Sequence, residues 1–115
     1  MKILGIDLSL TSPAVCYFDG SELNIDSSYF YYLTSNKKLL RKTEKITGSI
    51  IPEHNNDIER YHNISLWILS LINELEPEHV FIEGYAFSST GRVFNIAENC
   101  GILKYNQRKI NQLKL

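Results

Sequence analysis

The sequence predicts an α/β domain: a three-strand antiparallel meander, then a helix, a strand parallel to the first, and a second helix. Three observations carry this. Two short apolar runs, residues 2–8 (KILGIDL) and 79–83 (HVFIE), read as buried central strands, each ending in a carboxylate. Between them, Ile58, Tyr61, Ile64, Ser65, Ile68, Leu71, Ile72 and Leu75 recur at helical spacing and give one apolar face. The link from the first run to the helix is β-rich, with Asp19-Gly20 placed as a turn.

The first strand is the run at 2–8. Residues 13–18 form the second, and Asp19-Gly20 is expected to close a tight hairpin, because both residues tolerate the positive φ of a primed turn. The third strand runs from about Leu23 to Leu33 through the aromatic cluster Tyr29, Phe30, Tyr31 and Tyr32. Residues 34–56 alternate only weakly, are interrupted by Gly48 and end at Pro52, so a loop or partly ordered excursion is expected there. A helix begins at Asp57, capped by Asn56 or Asp57, and Pro77 ends it. The strand at 79–83 follows a helical crossover and should lie parallel to the first strand and beside it. A loop of small and polar residues spans 84–91, and a last helix is expected over about 92–105.

Length and composition bound the rest. A chain of 115 residues supports one domain with one modest core, and 43% hydrophobic with 22% charged residues excludes a disordered tail. No apolar run is long enough to span a bilayer or to serve as a signal peptide, so a cytoplasmic location is expected. Cys16 and Cys100 fall within apolar patterns and read as reduced core residues. His54, His62 and His79 have no metal-ligand spacing, and Trp67 reads as core or the floor of a shallow groove.

The net charge of −1 is uninformative, but its distribution is not. Lys37, Lys38, Arg41, Lys42 and Lys45 stand against Glu44 alone, and the tail after Glu98 carries Lys104, Arg108, Lys109 and Lys114 with no acid. Residues 53–98 between these blocks are strongly acidic. Basic flanks around an acidic centre suit a protein that grips phosphate at its edges and holds metal in the middle; two solvated basic surfaces would read the same way.

Asp7 and Glu83 are the candidate chemical pair. If their strands are adjacent and parallel, both carboxylates emerge at one sheet edge, beyond the carboxyl ends of the strands where open α/β sheets bind ligands. Two carboxylates there suit a hard cation, Mg²⁺ or Mn²⁺, and such ions support phosphodiester hydrolysis. The alternative is two acids that simply reach solvent.

The segments ILGIDLSLTS at 3–12 and VFIEGYAFSSTGRVFNIAENCGILKY at 80–105 resemble the first and second motifs of the RuvC family of Holliday junction resolvases, in particular its phage and viral members. The resemblance implies an RNase H-like fold and a metal-dependent endonuclease that resolves branched DNA, such as a four-way junction, as a homodimer. It implies that Asp7 and Glu83 are the first two catalytic, metal-binding carboxylates. It places Tyr85 and Phe87 in the loop that probes the junction, where an aromatic can stack on an unpaired base; packing against the core would explain Phe87 as well. Arg92 is expected to contact phosphate or to lie on the surface. Lys37, Lys38, Arg41 and Lys42 are the other expected DNA contacts. Ala97, Cys100 and Gly101 form a small-residue seam that fits either a dimer interface or packing on the sheet.

The family also uses two further acids from a C-terminal segment, and no Asp or Glu follows Glu98. The chain is therefore expected to be truncated, with one sheet face under-covered. Two alternatives follow. One is a fragment that dimerises and binds DNA without cutting it. The other is half of an actin-type or sugar-kinase ATPase, although Asp7-Leu8-Ser9-Leu10 lacks the glycine of that phosphate-cradling turn.

Overall fold

A computed structural model describes residues 1–9, 12–20 and 25–82. They form a five-stranded mixed sheet with one long helix against one face. The strands are β1 (Lys2–Asp7), β2 (Ala14–Asp19), β3 (Ser28–Thr34), β4 (Ile46–Ile50) and β5 (His79–Ile82), in the spatial order β4-β3-β2-β1-β5. The helix α1 is Asp57–Leu75. β1, β2 and β3 make the expected antiparallel meander, and β5 lies parallel to β1 with Ile3 opposite His79 and Ile6 opposite Ile82. β4 is parallel to β3, so β1, β3, β4 and β5 all run the same way and their carboxyl ends share one edge.

Strand alternation writes the core. Leu4 and Ile6 of β1, Val15 and Tyr17 of β2, and Leu33 of β3 turn toward α1, which answers with Ile64, Ile68, Leu69 and Leu71. Tyr29 and Tyr31 pack against this cluster from the same face of β3. The helix starts where its cap predicts: the Asn56 side chain accepts the Glu59 amide at 2.8 Å. It ends at Glu76, which takes the left-handed conformation (φ 49°) immediately before Pro77. Ile58, assigned to the apolar face, is instead 58% exposed; burial along α1 begins a turn later, at Tyr61. Leu69 takes a core place that the spacing did not assign to it.

Two further expectations are corrected. Asp19-Gly20 does not close a tight hairpin: Phe18 pairs with Ser28, and the β2–β3 connection spans residues 20–27. Gly20 instead extends the β1–β2 ladder, its amide donating to Met1 O and its carbonyl accepting from the terminal ammonium. A side chain at residue 20 would stand 3.1 Å from Ser27 Oγ, so glycine here permits close approach. Residues 34–56, expected as a loop, contain β4 and a 3₁₀ turn at Lys37–Leu39. The connection doubles back along the outer edge of β4. The Gly48 amide donates to Arg41 O and the Thr43 amide to Ile46 O, so the edge is covered by backbone of its own chain. Ile-Thr-Gly-Ser-Ile shows little alternation because all its residues are half-buried or exposed.

Among the described residues no helix is long and apolar enough to cross a membrane.

Candidate functional site

Asp7 is the last residue of β1 and is exposed at the carboxyl edge. Its strand neighbours fix the surroundings. Asp7 pairs with Ala14, Ala14 with Tyr32, and Tyr32 with Gly48, a row running straight across the sheet. The adjacent row on the same face is Phe81, Gly5, Cys16, Phe30 and Ile46. Together they form the face away from α1. An open trough of ≈ 340 Å³ lies over it, lined by Asp7, Gly5, Ala14, Cys16, Phe30 and Tyr32 among others. Asp7 is the carboxylate of this trough, and the rest of the lining is mostly apolar.

The local chemistry keeps the floor low. A Cβ at residue 5 would meet nothing nearer than Cys16 O at 4.0 Å, so Gly5 leaves open space rather than filling it. Cys16, expected in the core, is half-buried on this open face, and burial raises its thiol above the ordinary value. Phe30 and Phe81 are 38% and 61% exposed. Tyr32 lies across Gly48, where a Cβ would meet the ring at 2.3 Å, and its hydroxyl donates to Leu39 O. This ring ties the trough to the basic turn.

Lys37 and Lys38 are exposed on that turn, and Arg41 and Lys42 are exposed just after it, along the outer edge of β4. Strand spacing puts the backbone at Arg41 and Lys42 roughly 19 Å from β1, four steps across the sheet. Lys45 is engaged internally: its ammonium donates to Asp26 O and stands 4.3 Å from the Tyr29 ring centroid. The structure therefore separates the acidic and basic candidates rather than clustering them.

β5 ends at Ile82, opposite Ile6. Glu83, the next residue, lies outside the described residues, as do Tyr85, Phe87, Arg92, Ala97, Cys100 and Gly101. Among the described residues no group of three or more His, Cys, Asp or Glu could hold a metal ion. Sequence reasoning missed the trough. The alternation of β2 and β3 would have placed Ala14, Cys16, Phe30 and Tyr32 on the face of Asp7 had the long β2–β3 connection, and so the register, been known.

The solved structure of Thermus thermophilus RuvC superposes with a TM-score of 0.55 over 91% of this chain, at 14% sequence identity. The fold is RNase H-like. The match spans 56% of the RuvC chain, so the likeness covers about half of that protein. No protein-family model matches the sequence, and no curated protein does.

Proposed function

We propose that this chain carries part of the active site of a metal-dependent endonuclease acting on branched DNA, four-way junctions above all. The observation that carries the proposal is Asp7: an exposed carboxylate at the carboxyl end of a central strand of an RNase H-like sheet, at the mouth of an open trough. Glu83 follows directly on the residue that faces Ile6 across the parallel ladder, and in this reading it is the second carboxylate. Carboxylate oxygens are the donors that Mg²⁺ and Mn²⁺ prefer, and an exposed edge leaves room for the waters such ions retain. The bound ion would supply activation of water and stabilisation of the leaving oxygen.

The chain's own residues do the positioning. The basic turn bearing Lys37, Lys38, Arg41 and Lys42 takes phosphates of the substrate backbone away from Asp7, and Arg92 adds a further phosphate contact. Tyr85 and Phe87 stack on bases opened at the junction. The active form is a homodimer paired through Ala97, Cys100 and Gly101, because nicking across a symmetric junction requires two sites related by a two-fold axis.

The test is cleavage of a synthetic four-way junction by the purified chain in Mn²⁺ and in Mg²⁺, beside Asp7→Asn. Metal-dependent, symmetric nicks are expected, reduced about 10²–10³-fold in the variant, as for loss of one preorganised electrostatic group. Junction binding without nicks would replace the nuclease reading with that of a DNA-binding module. Neither binding nor nicks would refute both.

A further inference from the structure

The segment after β3 presents an unusual pair of side chains. Residues 35–44 are all exposed, and among them Leu39 and Leu40 are 57% and 40% exposed. Lys37 and Lys38 precede the pair and Arg41 and Lys42 follow it, with Glu44 the one acid of the stretch. A single exposed leucine is ordinary on a protein surface. Two in succession between two pairs of cations make an apolar point flanked by positive charge.

The pair is held in place through its backbone. Asn36 caps the 3₁₀ turn: its side chain accepts the Lys38 amide at 3.0 Å and its carbonyl accepts the Leu39 amide at 2.9 Å. The Leu39 carbonyl accepts the Tyr32 hydroxyl, and the Leu40 amide donates to Lys37 O at 3.3 Å. The Gly48 amide donates to Arg41 O at 2.8 Å, and Lys42 bridges to Thr47. Backbone on both sides of the leucines is therefore tied to β3 and β4. A fixed turn that presents apolar side chains loses little conformational freedom when a partner covers them.

The charges select the partner. Four cations within residues 37–42 favour a polyanion that also accepts an apolar side chain, which leaves duplex DNA and an anionic membrane surface. Two leucines suit DNA better. One or two apolar side chains suffice to enter a base step and unstack it, while neighbouring cations hold the phosphates. A membrane requires more apolar volume: even a myristoyl chain anchors only marginally, and two leucine side chains carry fewer carbons.

We propose that Leu39 and Leu40 form a wedge that enters a base step of bound duplex DNA, with Lys37, Lys38, Arg41 and Lys42 on the phosphates beside it. The wedge presupposes that the chain binds branched DNA, and it kinks an arm of that DNA at the basic turn, away from Asp7.

The full chain is titrated into four-way junctions carrying 2-aminopurine at successive steps of their arms. Unstacking raises the fluorescence of this base, and a saturable rise is expected at one step or two neighbouring steps. Leu39→Ala/Leu40→Ala should abolish the rise and weaken binding several-fold without changing its salt dependence. Lys37→Ala/Lys38→Ala should instead lower the slope of log K against log salt by roughly 2. No rise at any step with bound wild-type chain, or a rise that survives loss of both leucines, overturns the wedge and leaves DNA binding standing. Absence of binding overturns both. A rise without nicks supports the wedge and refutes cleavage by this chain. Co-sedimentation with phosphatidylserine vesicles tests the other surface: capture that needs both leucines, with no fluorescence rise on DNA, assigns the pair to a membrane and overturns the wedge.

Discussion

Along β1, Leu4 and Ile6 turn toward α1 and are 0% and 4% exposed, while Gly5 and Asp7 turn the other way and form an open trough. The same alternation runs through β2 and β3, with Val15, Tyr17 and Leu33 on one side and Cys16, Phe30 and Tyr32 on the other. One set of strands thus makes a packed core and an accessible surface from alternating residues. The comparison teaches that burial near Asp7 is decided by the parity of a position rather than by its hydrophobicity. Phe81 is as apolar as Leu4 and yet 61% exposed.

The largest effect that could break this comparison is its energetic asymmetry. Leu4→Ala should cost about 2–5 kcal/mol, because it leaves a cavity between sheet and helix. Phe81→Ala, one register step along and on the opposite face, should cost less than about 1 kcal/mol. Urea denaturation of the two variants measures both. Equal losses would mean that the trough face is packed as tightly as the core face.

A smaller effect sharpens the link between the trough and the basic turn. In Gly48→Ala the new methyl group displaces the Tyr32 ring and with it the hydroxyl contact to Leu39 O. The expected loss is about 1–2 kcal/mol. In a Tyr32→Ala background the same change should be nearly neutral, since the clash is gone, and a double-mutant cycle reads that coupling directly.

The smallest effect is a pH dependence of the core face. Burial, then the nearby Asp19, and more weakly Tyr31, Glu78 and Tyr29, raise the Tyr17 phenol above its ordinary value of 10.0. The folded chain therefore holds this proton more tightly than the unfolded chain. Its contribution to stability is complete below pH 10.0 and is lost as pH rises past that value. Tyr31, raised chiefly by burial, acts in the same sense. Thermal unfolding followed between pH 8 and pH 11 should show this decline (roughly the range over which a phenol titrates), and Tyr17→Phe should flatten it.

Much of the frame was legible in the sequence because its signals are local. The 3.6-residue spacing from Tyr61 to Leu75, the Asn56 cap and the stop at Pro77 define α1, and two short apolar runs define β1 and β5. The parallel pairing of those strands followed from the helical crossover between them. Non-local facts were not legible. Gly20 looks like a turn residue but serves a ladder with Met1, and only that partner reveals the long β2–β3 connection. β4 is stabilised by backbone bonds from Arg41 and Thr43 on one side and by β3 on the other, so its own side chains carry little pattern. At the site, the place of Asp7 was legible as the end of an apolar run. The trough beside it depends on register, which no motif encodes.

The most direct test of Asp7 as a metal-binding group is paramagnetic broadening of backbone amide signals by substoichiometric Mn²⁺. Broadening should centre on Ile6, Asp7 and Ala14 at the carboxyl edge of β1 and β2 and disappear in Asp7→Asn. Broadening centred elsewhere, or unchanged in the variant, would contradict a metal site at the end of β1.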